Sequence, residues 1–141
     1  MTEHVQIGEV AARTGLSLRT IRYYEEVGLV APSARSAGGF RLYAEADVDR
    51  LELVKRMKPL DFSLEDMREL LAVVDALDAT PRPAPGDDGT ERAALLARLA
   101  ALEASAQERV ASLRRKLAVA EEFAGGLSER IAAQRSPASG P

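Results

Sequence analysis

Residues 17–43, SLRTIRYYEEVGLVAPSARSAGGFRLY, read as a capped helix, a turn and a hairpin with a glycine-rich tip. Ser17 is a good N-cap because its hydroxyl accepts an orphan backbone N–H of the first turn, and Gly28 suits the stop, so a helix is bracketed between them. Leu18, Ile21 and Tyr24 recur at steps of three and are expected to face a core. Arg19, Arg22 and Tyr23 fall at i, i+3 and i+4 on the opposite stripe, which gathers two guanidinium forks and a phenol, with Thr20 beside them. Arginine grips phosphate or pairs bidentately with guanine, so the stripe suits a DNA major groove. Residues 30–35 and 39–43 predict two strands joined through Ser36-Ala37-Gly38-Gly39. Arg35 and Arg41 flank that tip, with Phe40 and Tyr43 alongside, a second cluster of phosphate-seeking donors at the spacing of a wing.

The charge distribution agrees with this reading better than the total does. The chain has 141 residues and a net charge of -3, yet residues 13–41 hold five Arg against two Glu, whereas residues 61–141 hold ten basic and fourteen acidic side chains. A basic head on an acidic body still binds DNA, because the field that matters lies within roughly 8–10 Å of the phosphates. With no apolar run near 18 residues and no basic-then-apolar N-terminus, neither a membrane span nor a secretory signal is expected, which predicts a cytoplasmic location. Cysteine is absent and His4 is the single histidine. Thiolate chemistry, iron-sulfur clusters and Cys-based metal sites are therefore excluded, and no metal or other cofactor is expected. A small enzyme is hard to build without a nucleophile, a paired base or a glycine-rich phosphate loop.

Around the quoted stretch, residues 8–14 predict a first helix with Ile7, Val10 and Ala11 inward, ended by Gly15. Val48, Leu51, Val54 and Met57 recur every three residues in a helix over residues 44–57 that Pro59 closes. Ser63 and Asp66 form a near capping box for a further helix whose apolar face runs from Leu64 to Leu77. The stretch 78–89, DATPRPAPGDDG, holds three prolines and two glycines and predicts a flexible linker. Beyond it, Leu95, Leu99, Leu102, Ala106, Val110, Leu113 and Leu117 step by three and four, a coiled-coil seam with one stutter. About 35 residues at 1.5 Å each make a helix of about 50 Å whose apolar stripe needs a partner, so homodimerisation is expected. Gly125-Gly126 predicts a break in the 90–135 helix, since each Gly costs about 1 kcal/mol in a helix interior, and residues 136–141 predict a disordered tail.

The segments Ile7-Gly8-Glu9-Val10-Ala11, Thr20-Ile21-Arg22-Tyr23-Tyr24-Glu25, Gly39-Phe40-Arg41-Leu42-Tyr43 and Phe62-Ser63-Leu64, in this order and spacing, resemble the MerR family of bacterial transcriptional regulators. The resemblance covers about residues 5–77. It implies a mainly α protein with a winged helix-turn-helix head over residues 1–77, a small β-hairpin wing, and a long dimerisation helix forming an antiparallel coiled coil. It assigns Arg19, Arg22 and Tyr23 to the recognition helix, and Arg41 and Tyr43 to the wing. It further implies a homodimer on a pseudo-palindromic promoter site that distorts DNA so that RNA polymerase can engage, which is indirect readout used as a switch. Three departures stand out: Phe40 replaces a usual Tyr, Asp61 replaces a usual Gly, and the cysteines of metal- and redox-sensing members are missing. Only about seventeen residues follow Ala124, against the further ligand domain of drug-sensing members. The effector, if there is one, is expected to be a small organic molecule. The competing readings are an architectural or excisionase-like DNA-bending protein, against which the long seam argues, and a coiled-coil adaptor whose head binds protein.

Overall fold

The computed structural model describes residues 3–80, 85–86 and 88–137. It divides into two compact units, residues 1–102 and 103–141. In the first unit, β1 (His4–Gln6) leads into α1 (Ile7–Thr14) and α2 (Leu18–Glu26). Strands β2 (Ala34–Arg35) and β3 (Arg41–Ala44) follow, then α3 (Glu45–Met57), a 3-10 turn (Lys58–Leu60) and α4 (Leu64–Ala79). The last helix, α5 (Thr90–Arg135), starts in the first unit and makes up nearly all of the described second unit.

Two short devices join α1 to α2. Gly15 takes the left-handed conformation (φ 76°) and donates its N–H to the Ala11 carbonyl at 2.9 Å. Ser17 then caps α2, its Oγ accepting from the Thr20 N–H at 3.0 Å. Between them Thr14, almost wholly buried, donates its hydroxyl to the Val10 carbonyl, and Lys55 on α3 donates to the Thr14 carbonyl. The core of this unit gathers Val10, Ile21, Tyr24, Val30, Tyr43, Leu51, Val54 and Val73. Burying each such side chain contributes about 1.5–3 kcal/mol. Leu18, expected to face inward, is exposed at the first position of α2.

The wing differs from its expected outline in two ways. Its first strand is shorter, beginning at Ala34, because the N–H groups of Leu29 and Val30 are spent on the Tyr24 carbonyl at 2.8 and 3.2 Å, closing α2, and Pro32 has no N–H to give a ladder. The sheet also has a third strand: β1 pairs antiparallel with β3, so the order is β1-β3-β2 and β3 is central. A three-residue strand is too short to show alternation in the sequence. The tip is closed by Ser36 N–H to the Phe40 carbonyl and Gly39 N–H to the Ser36 carbonyl, both 2.8 Å, with Gly39 at φ 83°. Asp61 takes φ 60° after the 3-10 turn, a geometry that Asp tolerates better than most residues.

Three boundaries correct the sequence reading. Helix α4 extends to Ala79, so Asp78 and Ala79 are helical and not linker, and Thr80 closes the helix through its N–H to the Ala76 carbonyl. At the other end of the expected linker, Asp88 accepts the Thr90 N–H at 3.0 Å and starts α5. Pro81 and Pro83 of the expected linker, and the end of the tail from residue 138, lie outside the described residues. The break expected at Gly125-Gly126 is absent: α5 is one helix of 46 residues that runs through both. Neither glycine is in the left-handed conformation. Their propensity cost of about 2 kcal/mol together is less than the intrahelical hydrogen bonds a break would give up among good helix formers on both sides.

The junction of wing and α3 hangs on Asp47, which is almost fully buried. Its carboxylate accepts the Ala44 N–H at 2.8 Å, the Ser33 hydroxyl, and Arg50 Nη1 at 3.1 Å, while Arg50 also binds Asp75 on α4 at 2.8 Å. Asp47→Ala is expected to cost about 2–3 kcal/mol by stranding the buried Ala44 N–H and the Ser33 hydroxyl. Urea unfolding checks this, and a loss below about 0.5 kcal/mol would show that water replaces the carboxylate.

Candidate nucleic-acid interface

With Ile21 and Tyr24 turned into the core, Arg19, Arg22 and Tyr23 have only the surface left to occupy, and all three are exposed. They line a groove of about 840 Å³ whose other wall is Lys58, Phe62, Leu64 and Met67, from the 3-10 turn and the start of α4. Thr20 also lines it, half-buried, and shares a 2.8 Å hydrogen bond with the Ser17 hydroxyl, so it is engaged in the cap. Tyr23 leans on Tyr24 with ring centroids 6.0 Å apart. Arg68 on α4 donates to the Val27 carbonyl and so braces the end of α2. One acid, Glu26, shares the groove.

Lys58 escaped the sequence reading. It follows the last turn of α3 and precedes Pro59, where the only signal was a helix stop, and no linear spacing relates it to Arg19 or Arg22. Folding brings it to the same groove as both.

The wing arginines are paired. Arg41 Nε donates to Glu25 Oε2 at 2.5 Å and Arg35 Nη2 donates to Glu25 Oε1 at 2.8 Å. The hydrogen bond to Glu25 raises the Arg41 pKa further above its ordinary value, so the guanidinium stays charged at any working pH. Tyr43 requires a correction. Expected on the wing surface beside Arg41, it is 0 % exposed, and its hydroxyl has no hydrogen-bond partner among the described residues. The unforeseen strand β1 places Val5 directly opposite Tyr43, and α1 and α3 also pack against β3. Burial pushes the Tyr43 phenol above its ordinary pKa, so it is a neutral core group that cannot reach a ligand.

The expected dimer seam divides in the same way. Leu95 is buried within its own unit, because the first turns of α5 dock on α4: Arg92 donates to the Thr80 carbonyl at 3.2 Å and Arg98 lies 3.7 Å from Glu69. Leu95 is thus covered by its own chain and is not a free seam residue. Leu99, Leu102 and Val110 are half-buried, whereas Leu113 and Leu117 are 43 % and 59 % exposed.

The sequence matches the family described as "MerR HTH family regulatory protein" over residues 5–73 and that described as "MerR, DNA binding" over residues 48–133. The chain belongs to the MerR family of helix-turn-helix regulators. It is 44 % identical over 77 residues to a mercuric resistance operon regulatory protein of Bacillus cereus, covering 55 % of this chain and 58 % of that one. It is also 44 % identical over 68 residues to the HTH-type transcriptional regulator ZntR of Escherichia coli K12, covering 48 % of each. The chain spans about half the length of the curated relatives it matches. These relatives are regulators and not enzymes. In fold, it is similar to the solved structure of HiNmlR, a MerR family regulator lacking the sensor domain, bound to promoter DNA. The TM-score is 0.67 at 22 % identity, over 92 % of this chain and 94 % of that one. A MerR family regulator from Bacillus thuringiensis has a TM-score of 0.65 at 19 % identity, over 88 % and 99 %.

The burial of Tyr43 can be tested directly. Tyr43→Phe removes a hydroxyl with no partner among the described residues, so stability is expected to stay level or to rise by up to about 1 kcal/mol. A loss greater than 1 kcal/mol in thermal or urea unfolding would show that the hydroxyl has a partner.

Proposed function

We propose that this chain is a sequence-specific DNA-binding transcriptional regulator that acts as a homodimer on a pseudo-palindromic promoter site, distorting the DNA for RNA polymerase. The observation that carries the reading is the exposed Arg19, Arg22 and Tyr23 stripe on a capped helix, lining one groove with Lys58, in a head that belongs to this family. In this reading α2 enters the major groove, where a guanidinium discriminates guanine, and Thr20 approaches the same bases. Lys58 and the remaining N–H donors of Arg35 and Arg41 meet phosphates and set the register. Tyr43 takes no part.

Homodimerisation is supported by the face of α5 beyond the first unit, where Leu113, Leu117, Leu127 and Ile131 are all exposed. Because α5 continues through the glycines, Leu117, Ala120, Ala124, Leu127 and Ile131 extend the seam by steps of three and four. A second copy, antiparallel, would cover that stripe. Among the described residues no helix is long and apolar enough to cross a membrane, and we place the protein in the cytoplasm with its DNA. The signal is an unidentified organic effector, or the protein works without one.

Arg22→Ala is expected to lower affinity for the selected site by about 1–3 kcal/mol with the fold intact. Fluorescence anisotropy on site-bearing and scrambled duplexes measures it, and unchanged affinity would remove Arg22 from the interface. For the dimer, Leu113→Asp places a charge in the seam at a cost of several kcal/mol to association, while the single chain loses little because Leu113 is already half in solvent. Sedimentation velocity should find the variant monomeric; a wild-type chain that is itself monomeric at micromolar concentration would end the dimer reading.

A further inference from the structure

Two cations face each other across the wing. Arg35 and Arg41 are direct partners in the register of β2 and β3, and like charges in that relation repel. What offsets the repulsion is a single carboxylate from another element: Glu25, on the last turn of α2, gives one oxygen to each arginine, at 2.8 Å and 2.5 Å. Arg35 additionally donates Nη1 to the Gly39 carbonyl at 3.3 Å, which carries the linkage to the tip of the hairpin. Residues 37–40 are all exposed, so the tip has no apolar packing to hold its angle. Glu25 is only 21 % exposed in its side chain, and Arg41 only 28 %, so the pair with Arg41 is partly shielded from solvent.

We propose that Glu25 is a positioning residue that clamps the wing to the recognition helix through Arg35 and Arg41 and thereby sets discrimination between site and random DNA. This rests on the DNA-binding reading above. The clamp acts in two ways. It fixes the distance between the base-reading stripe of α2, which carries Arg22 one turn before Glu25, and the cations that meet the flanking backbone, so both engage one duplex only in the right register. It also leaves one net positive charge where two would stand, which withholds a phosphate contact from DNA of any sequence. Arg41 spends its Nε on Glu25, and Arg35 spends one N–H of Nη2 on Glu25 and one of Nη1 on the Gly39 carbonyl, so each guanidinium retains N–H donors for phosphate.

The test uses the full chain as wild type, Glu25→Gln, Arg35→Ala/Arg41→Ala, and the triple variant. In the free protein, hydrogen exchange at the Ser36, Gly39 and Phe40 amides should speed up several-fold in Glu25→Gln, with the amides of α2 and α3 unchanged. Binding is then titrated against salt on a duplex the wild type selects from a random pool and on a scrambled duplex. Glu25→Gln is expected to lose roughly tenfold on the selected duplex, to gain on the scrambled one, and to steepen the salt dependence by about one unit. In the Arg35→Ala/Arg41→Ala background the same substitution should change neither affinity. Unchanged wing exchange in Glu25→Gln, or an equal loss with the arginines absent, would overturn the clamp. If the wild type selects no duplex, the DNA-binding reading falls, and the exchange measurement still decides whether Glu25 holds the wing.

Discussion

Everything in the head depends on the burial of one stripe of α2. Successive residues on a helix are about 100° apart, so placing Ile21 and Tyr24 in the core leaves Arg19, Arg22 and Tyr23 on the surface with no other choice. Tyr24 does a second job at its backbone. Its carbonyl accepts the N–H groups of both Leu29 and Val30, closing the helix and starting the chain toward the wing. The same residue therefore anchors α2, ends it, and sets where the hairpin begins. Ser17 at the front and Arg68 at the back hold its two ends.

The wing obeys a different physics. Its central strand pairs with β1 and carries Tyr43 into the core, while its outer end has little apolar surface to bury. Ion pairs to Glu25 take the place of packing there. Such pairs are softer than a core contact and sensitive to salt. The basic character visible in the sequence is thus partly spent inside the protein before any ligand arrives.

Helix α5 shows how one periodic pattern serves two surfaces. Its first turns belong to the compact head unit, where Leu95 is buried and Arg92 and Arg98 reach α4, whereas the same stripe further along is exposed. A stripe at steps of three and four says that a face will be buried and does not say against what.

The sequence by itself determined the local elements whose causes are local: the Ser17 and Ser63 caps, the left-handed turns at Gly15 and Asp61, the inward stripe of α3, and the outward Arg19, Arg22 and Tyr23. Each depends on side chains within a few residues of one another, so composition and spacing suffice. It also carried the family, because those signals occur in a fixed order. Only the tertiary structure decided the matters that join distant residues. Tyr43 lies in the core beside an unforeseen strand, Lys58 arrives in the same groove as Arg19 and Arg22, Glu25 takes hold of Arg35 and Arg41, and Leu95 is buried within the head unit. The glycines at 125 and 126 lay between the two cases: propensity marked a break, and the cooperativity of a long helix of good formers overrode it. Which side chain a charge or ring will meet across ten or forty residues is set by how the elements pack, and packing leaves no periodic trace in the chain.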